Sequence, residues 1–306
     1  MARHLWMTDD RSAGTGTQSS ITRRRCLGSI VATGLAAGGL VGAAATTAAA
    51  YEELALEAGE RRTISLESSE TFENTLIDCT ADGAHVTIVA HGTDWTVRNV
   101  GIEGAVAGGE AVFGVSDSGD GSTIENVYVG DGAEPGHRNG LGIWIAPQHE
   151  GHIDIERVNV QEMGDNSFYC SAPGGSGTVD LRHCYSANSW VAHYRLARGT
   201  VENCTALNDE RREDGRGIWA WAPGPVEVRD CNLVMNGRQY AFDVGANNQA
   251  STVEVTDTEW DDSYNGGTTE NGELEFESGN GTDPEDVVPE GCPESALDAV
   301  EDAEES

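Results

Sequence analysis

Five short segments place chemically useful side chains in one local frame: GLGIWIAP (Gly140 to Pro147), SFYCSAP (Ser167 to Pro173), VAHYRLA (Val191 to Ala197), GIWAWAP (Gly217 to Pro223) and AFDVGA (Ala241 to Ala246). Alternation along a strand sends one set inward: Ile143 and Ile145; Phe168 and Cys170; Ala192, Tyr194 and Leu196; Ile218 and Ala220; Phe242 and Val244. The other set, Trp144, Tyr169, His193, Arg195, Trp219, Trp221 and Asp243, then shares one exterior face. Indoles stack on the apolar faces of pyranose rings, while charged groups bond hydroxyls or carboxylates, so this frame suits an extended sugar chain. An exposed aromatic row equally suits a covering loop or a second protein chain.

The turns leading into these strands add polar groups to the same edge. They supply His137 and Arg138 (GHRNG), Asp165 (GDN), Trp190 (ANSW), and Asp214 and Arg216 (NDERREDGR). The expected binding set is Trp144, Trp190, Trp219, Trp221, His137, Arg138, Arg216 and Arg238. Cleaving a uronide by elimination needs a base near the C5 proton and a cation beside the carboxylate. His193 or Tyr169 could be that base, and Arg195, Arg216 or a calcium ion the neutraliser. Hydrolysis needs two carboxylates flanking the bond, for which Asp165, Asp214 and Asp243 are the candidates. No other cofactor is implied, and no metal-ligand spacing appears: there is no C-x-x-C and no paired-histidine motif.

A repeat must position these groups. Seven segments share a second frame: WTVRNVGI, STIENVYV, IDIERVNV, VDLRHCYS, GTVENCTA, VEVRDCNL and VEVTDTEW, beginning at Trp95, Ser122, Ile153, Val179, Gly199, Val226 and Val253. Their sixth positions (Val100, Val127, Val158, Cys184, Cys204, Cys231 and Thr258) are 27, 31, 26, 20, 27 and 27 residues apart. That period, with alternation inside each unit, means a solenoid walled by strands. Val97 to Val100 is three steps rather than two, so one residue makes a bend while both flanking strands keep apolar groups inward. Asn and Asp tolerate the left-handed backbone of such a bend. Asn99, Asn126, Asn203, Asp230 and Asp257 therefore form a column, and Arg157 and His183 interrupt it. Cys184, Cys204 and Cys231 replace valine at one inward position and read as a buried thiol stack; disulfides involving them, Cys79, Cys170 or Cys292 stay open at this stage.

With its bends between short strands, this frame resembles the right-handed parallel β-helix of the pectate-lyase-like superfamily, over about residues 75–277. The resemblance implies an all-β solenoid of about 7–9 rungs. It implies less about activity, because the fold carries lyases, hydrolases, epimerases, adhesins and non-catalytic proteins. Neither the Asp-Asp pair with Gly-His-Gly of polygalacturonases nor the calcium-binding Asp cluster with catalytic Arg of pectate lyases is found.

The chain contains no lysine: its 18 basic residues are all arginine, against 52 Asp and Glu. Such a surface fits concentrated salt, where carboxylates hold hydration and their repulsion is screened, and the composition resembles that of haloarchaeal proteins. No basic cluster exists to neutralise phosphates, so nucleic acid is not an expected partner. Arg23 and Arg24, followed by a Gly/Ala run ending near Ala50, look like a twin-arginine export signal. Residues 1–50 are read as that signal, 51–279 as the β-helix, and 280–306 as a disordered or lightly helical acidic tail. An extracellular or cell-surface location follows, with the membrane met only through the signal; oligomeric state stays open. Residues 137–240 carry ten of the arginines and 13 acids, whereas the flanks 51–136 and 241–306 carry three arginines and 37 acids. The candidate face falls in this nearly neutral middle.

Overall fold

Each repeat closes one turn because its bend residue takes the left-handed conformation. Asn74, Asn99, Asn126, Arg157, His183, Asn203, Asp230 and Asp257 all have φ between 47° and 54°. Arg157 and His183 adopt the bend although neither is Asn or Asp, so stacking against neighbouring rungs overrides local preference there. The computed structural model describes residues 20–21, 51–134, 140–209, 214–261, 266–268 and 272–301. It is a parallel β-solenoid of about 8 turns, almost without helix. The fold class expected from the repeat is thus observed.

Three walls of parallel strands enclose the core. The first runs from Arg61–Leu66 and His85–Ala90 through Ala111–Val115, Leu141–Ile145, Asn166–Cys170, Ala192–Leu196 and Arg216–Ala220 to Phe242–Val244 and Gly266–Thr268. The second starts with Glu52–Ala55 and Thr71–Asp78, and ends with Val226–Arg229, Ser251–Thr256 and Gly272–Phe276. In its early rungs one strand, such as His152–Gln161, passes straight through the bend. Later the bend divides it, and Tyr185–Ala187, Thr205–Leu207, Asn232–Val234 and Glu259–Trp260 stack as a third wall. The interior is a continuous column of fully buried Val, Ile, Leu and Phe.

The amide ladder forms only where the sequence allows it. Asn99 Nδ2 donates to Asn74 Oδ1 at 2.8 Å, and Asn126 Nδ2 to Asn99 Oδ1 at 2.9 Å. It stops at Arg157, whose guanidinium instead pairs with Glu125 and Glu156.

The residue after the bend faces inward on every rung. There Cys184, Cys204 and Cys231 stack as buried free thiols, and Thr75 and Thr258 occupy the same position near the two ends. Thr75 Oγ1 donates to Glu73 O at 3.0 Å and Thr258 Oγ1 to Thr256 O at 2.9 Å. The thiols point at the equivalent carbonyl: Cys204 Sγ lies 3.2 Å from Glu202 O and Cys231 Sγ 3.0 Å from Arg229 O. The site therefore offers a built-in acceptor to any small donor. We expect Cys204→Thr to avoid the ~1–3 kcal/mol penalty of an unsatisfied buried hydroxyl. Cys204→Leu overpacks the core and should cost about 1–3 kcal/mol. Denaturant unfolding of both variants checks this; a Thr variant as unstable as the Leu variant would contradict it.

The chain beyond Gly279, read from sequence as a disordered or lightly helical acidic tail, is described as far as Glu301. It returns along the outside of the solenoid as a strap, following the outward residue next to the Val/Cys/Thr column. Asp283 N donates to Glu259 Oε2, Glu285 N to Asn232 Oδ1, Thr205 Oγ1 to Val287 O, and Tyr185 OH to Asp286 Oδ1. Farther along, Asn159 Nδ2 donates to Pro293 O and Asn126 Nδ2 to Ala299 O. Cys292 is buried against Tyr185, Ala187 and Leu207, and a short helix, Asp298–Glu301, ends the described strap with Ala299 and Val300 buried. Gly101 is needed beneath it, because a Cβ there would meet Ala296 O at 1.8 Å.

Candidate functional site

The first wall brings the expected face together in register. Gly114 pairs with Trp144, Trp144 with Tyr169, Tyr169 with Arg195, Arg195 with Trp219, and Trp219 with Asp243. Their side chains leave the outer surface because Ile143, Phe168, Tyr194, Ile218 and Phe242 fill the inner one. Neighbouring strands lie about 4.8 Å apart, so Trp144 and Trp219 are separated by roughly 14 Å along the wall.

Arg195 is the hub of this column. Its Cζ lies 3.8 Å from the Tyr169 ring centroid, 3.9 Å from that of Trp221 and 4.8 Å from that of Trp219. The two indoles meet edge to face at 5.4 Å. This corrects the freely exposed arginine expected from alternation: Arg195 does point outward, but the rings leave it 7% exposed. Burial lowers its pKa to about 10, against the opposing influence of Tyr169 and Asp165. Among the described residues it forms no ion pair, and cation–π contact supplies its compensation. Arg195 Nε, Trp219 Nε1 and Trp221 Nε1 are buried donors without an acceptor.

The other described arginines of the middle segment are already engaged. Arg216 Nε lies 2.5 Å from Asp243 Oδ2, with its guanidinium 4.4 Å from the Trp219 ring centroid. Arg238 pairs with Asp214 at 2.5 Å. Arg198 donates to the carbonyls of Ser176 and Gly224. Arg157, Arg182 and Arg229 form ion pairs on the second wall. Most of the described arginines in this nearly neutral region are thus already paired.

His193 departs most from expectation. It is fully buried, so it cannot reach a sugar as a base. Ser186, in the third-wall strand Tyr185–Ala187, and Asn208, just beyond Thr205–Leu207, close over the ring. Ser186 Oγ lies 2.8 Å from Nδ1 and Asn208 Oδ1 lies 3.0 Å from Nε2. Asn208 Nδ2 donates to Gly215 O at 2.7 Å, which leaves Oδ1 as acceptor and puts the imidazole proton on Nε2. Ser167 and Ser189 extend the buried network. Desolvation lowers the His193 pKa to about 4.

The carboxylate candidates are also engaged: Asp243 by Arg216, Asp214 by Arg238, and Asp165 by Asn166 Nδ2. Trp190 is half-buried at the corner, its backbone N–H donating to Met163 O. His137 and Arg138 lie outside the described residues. A group able to hold a cation lies elsewhere, on the second wall: His152, Asp154 and Asp180. Arg182 already sits 2.5 Å from Asp154 Oδ1 and 2.8 Å from Asp180 Oδ2, and a histidine does not suit the all-oxygen shell of calcium. That cluster does not fit the calcium considered from sequence.

The fold and site define a parallel β-solenoid with an arginine-centred aromatic face. Comparison with protein-family models, curated proteins and solved structures found no match.

Proposed function

We propose that this chain is an exported, salt-adapted β-helix protein, pectate-lyase-like in architecture, that binds an acidic polysaccharide along its first wall. The observation that carries this reading is Arg195: a desolvated guanidinium collared by Tyr169, Trp219 and Trp221, with no ion pair among the described residues. Aromatic rings offer stacking platforms, and an arginine lacking a carboxylate favours a ligand that brings one. The lysine-free acidic composition supports salt adaptation, and the Arg23–Arg24 segment supports export. Binding is better supported than cleavage, since His193 is buried and the candidate aspartates are engaged.

Elimination remains the second reading because Tyr169 contacts Arg195, pairing a phenol with a cation able to neutralise a uronate. The test is a polysaccharide screen in molar salt that follows binding, unsaturated products and new reducing ends. Binding without products is expected. Unsaturated products lost on Tyr169→Phe would establish the elimination reading instead, and no binding to any polymer would sink the carbohydrate function. Circular dichroism showing equal stability in dilute and molar salt would count against salt adaptation.

A further inference from the structure

We infer, on the reading that the first wall binds polysaccharide, that its ligand carries an isolated acidic sugar flanked by neutral ones rather than a continuous run of uronates. The charge pattern along the column supports this. One guanidinium, Arg195, lacks a carboxylate or carbonyl acceptor among the described arginines of this wall and its turns. Two register steps away, beyond Trp219, Asp243 already occupies Arg216. Arg238 is held by Asp214, and Arg198 by two carbonyls. A second carboxylate on the ligand would have to break one of these interactions or lie against Asp243. Like charge at contact range is unfavourable even in molar salt, where the Debye length is still about 3 Å.

The rings set the neutral positions. Trp144 and Tyr169 lie on one side of Arg195 and Trp219 on the other, each pair of neighbours one strand apart. Sugars placed there meet aromatic surface; the guanidinium of Arg216, 4.4 Å from the Trp219 ring centroid, is already held by Asp243. Arg195, held 3.8–4.8 Å from three ring centroids, disfavours a cationic ligand. Because Arg195 is 7% exposed, contact requires the collar to part by a rotamer change at Trp219 or Trp221, of a kind common at interfaces.

The test uses the full chain and three oligosaccharides of equal length: neutral, neutral with a single internal uronate, and homopolymeric uronate. Affinities are measured by calorimetry in molar salt while tryptophan fluorescence is followed. We expect the single-uronate oligomer to bind about tenfold more tightly than either other, a difference of ~1.4 kcal/mol. Its binding should change the fluorescence. Arg195→Met, which keeps a side chain between the rings, should bring it down to the affinity of the neutral oligomer. A homopolymeric uronate binding most tightly, or equal affinity for neutral and single-uronate chains, would overturn the charge pattern while leaving carbohydrate binding intact. Failure of all three to bind would count against the proposed function itself.

Discussion

A chain ended at Gly281 loses on the order of 3–5 kcal/mol of stability and unfolds over a broader denaturant range than the full protein, because exposing large buried side chains costs about 1.5–3 kcal/mol each. Truncation uncovers Tyr185 and Leu207, and it removes the acceptors of Asn159 Nδ2 and Asn126 Nδ2. Breadth follows from topology. Rungs of a solenoid contact only their neighbours, so stability spreads along the stack. The strap instead joins the Glu259 rung to the Gly101 rung and makes distant rungs melt together. A lower denaturant slope in the truncated protein is the expected signature. Gly101→Val, which places a branched side chain where Ala296 O now lies, should reproduce part of the loss. Unchanged midpoint and slope after truncation would show that the strap adds nothing.

Acidification should destabilise the protein through His193. Its folded pKa, about 4, lies below the ordinary 6.5, so between these values the unfolded chain binds a proton that the folded chain refuses. Stability from the neutral imidazole is full above pH 6.5 and is lost as pH falls toward 4. The shift corresponds to about 3 kcal/mol. The groups facing the ring, Ser186 and Asn208, are uncharged and cannot rescue the imidazolium. Titrating carboxylates also affect acid stability, so the informative quantity is the difference between the protein and His193→Gln. That difference should narrow by about 3 kcal/mol between pH 7 and pH 4. NMR titration of the imidazole gives a second readout that needs no variant. A His193 pKa near 6.5 would contradict its burial.

The frame of the fold was legible because each rung repeats one steric problem. A single residue must turn left-handed between two alternating stretches, and Asn or Asp at that place marks it. Arg157 and His183 were recognisable as bends only through their neighbours. The aromatic column was legible for the same reason: once Ile218 and Ala220 face inward, Trp219 faces outward. Alternation fixes the side of a wall and is silent about what covers it. His193 and Arg195 leave the same side of one strand, yet Ser186 and Asn208 close over the first and the indoles collar the second. Nor did acidic composition reveal the strap. Its signal was the column Gly101, Tyr128, Asn159, Tyr185, Thr205, Asn232 and Glu259, whose outward aromatics and amides supply many of its contacts.

The central claim is that the first wall is a carbohydrate-binding face. Its most direct test is the affinity of Trp219→Ala for whichever acidic polysaccharide the full chain binds, measured beside its melting temperature. Trp219 is half-buried and stands between Arg195 and Asp243 in the column, so its removal takes a stacking surface and one side of the collar. The expected result is binding weaker by about 1–3 kcal/mol, the scale of one aromatic hot spot, with little change in melting. Undiminished affinity in a folded Trp219→Ala variant, or unfolding without a binding defect, would contradict the claim.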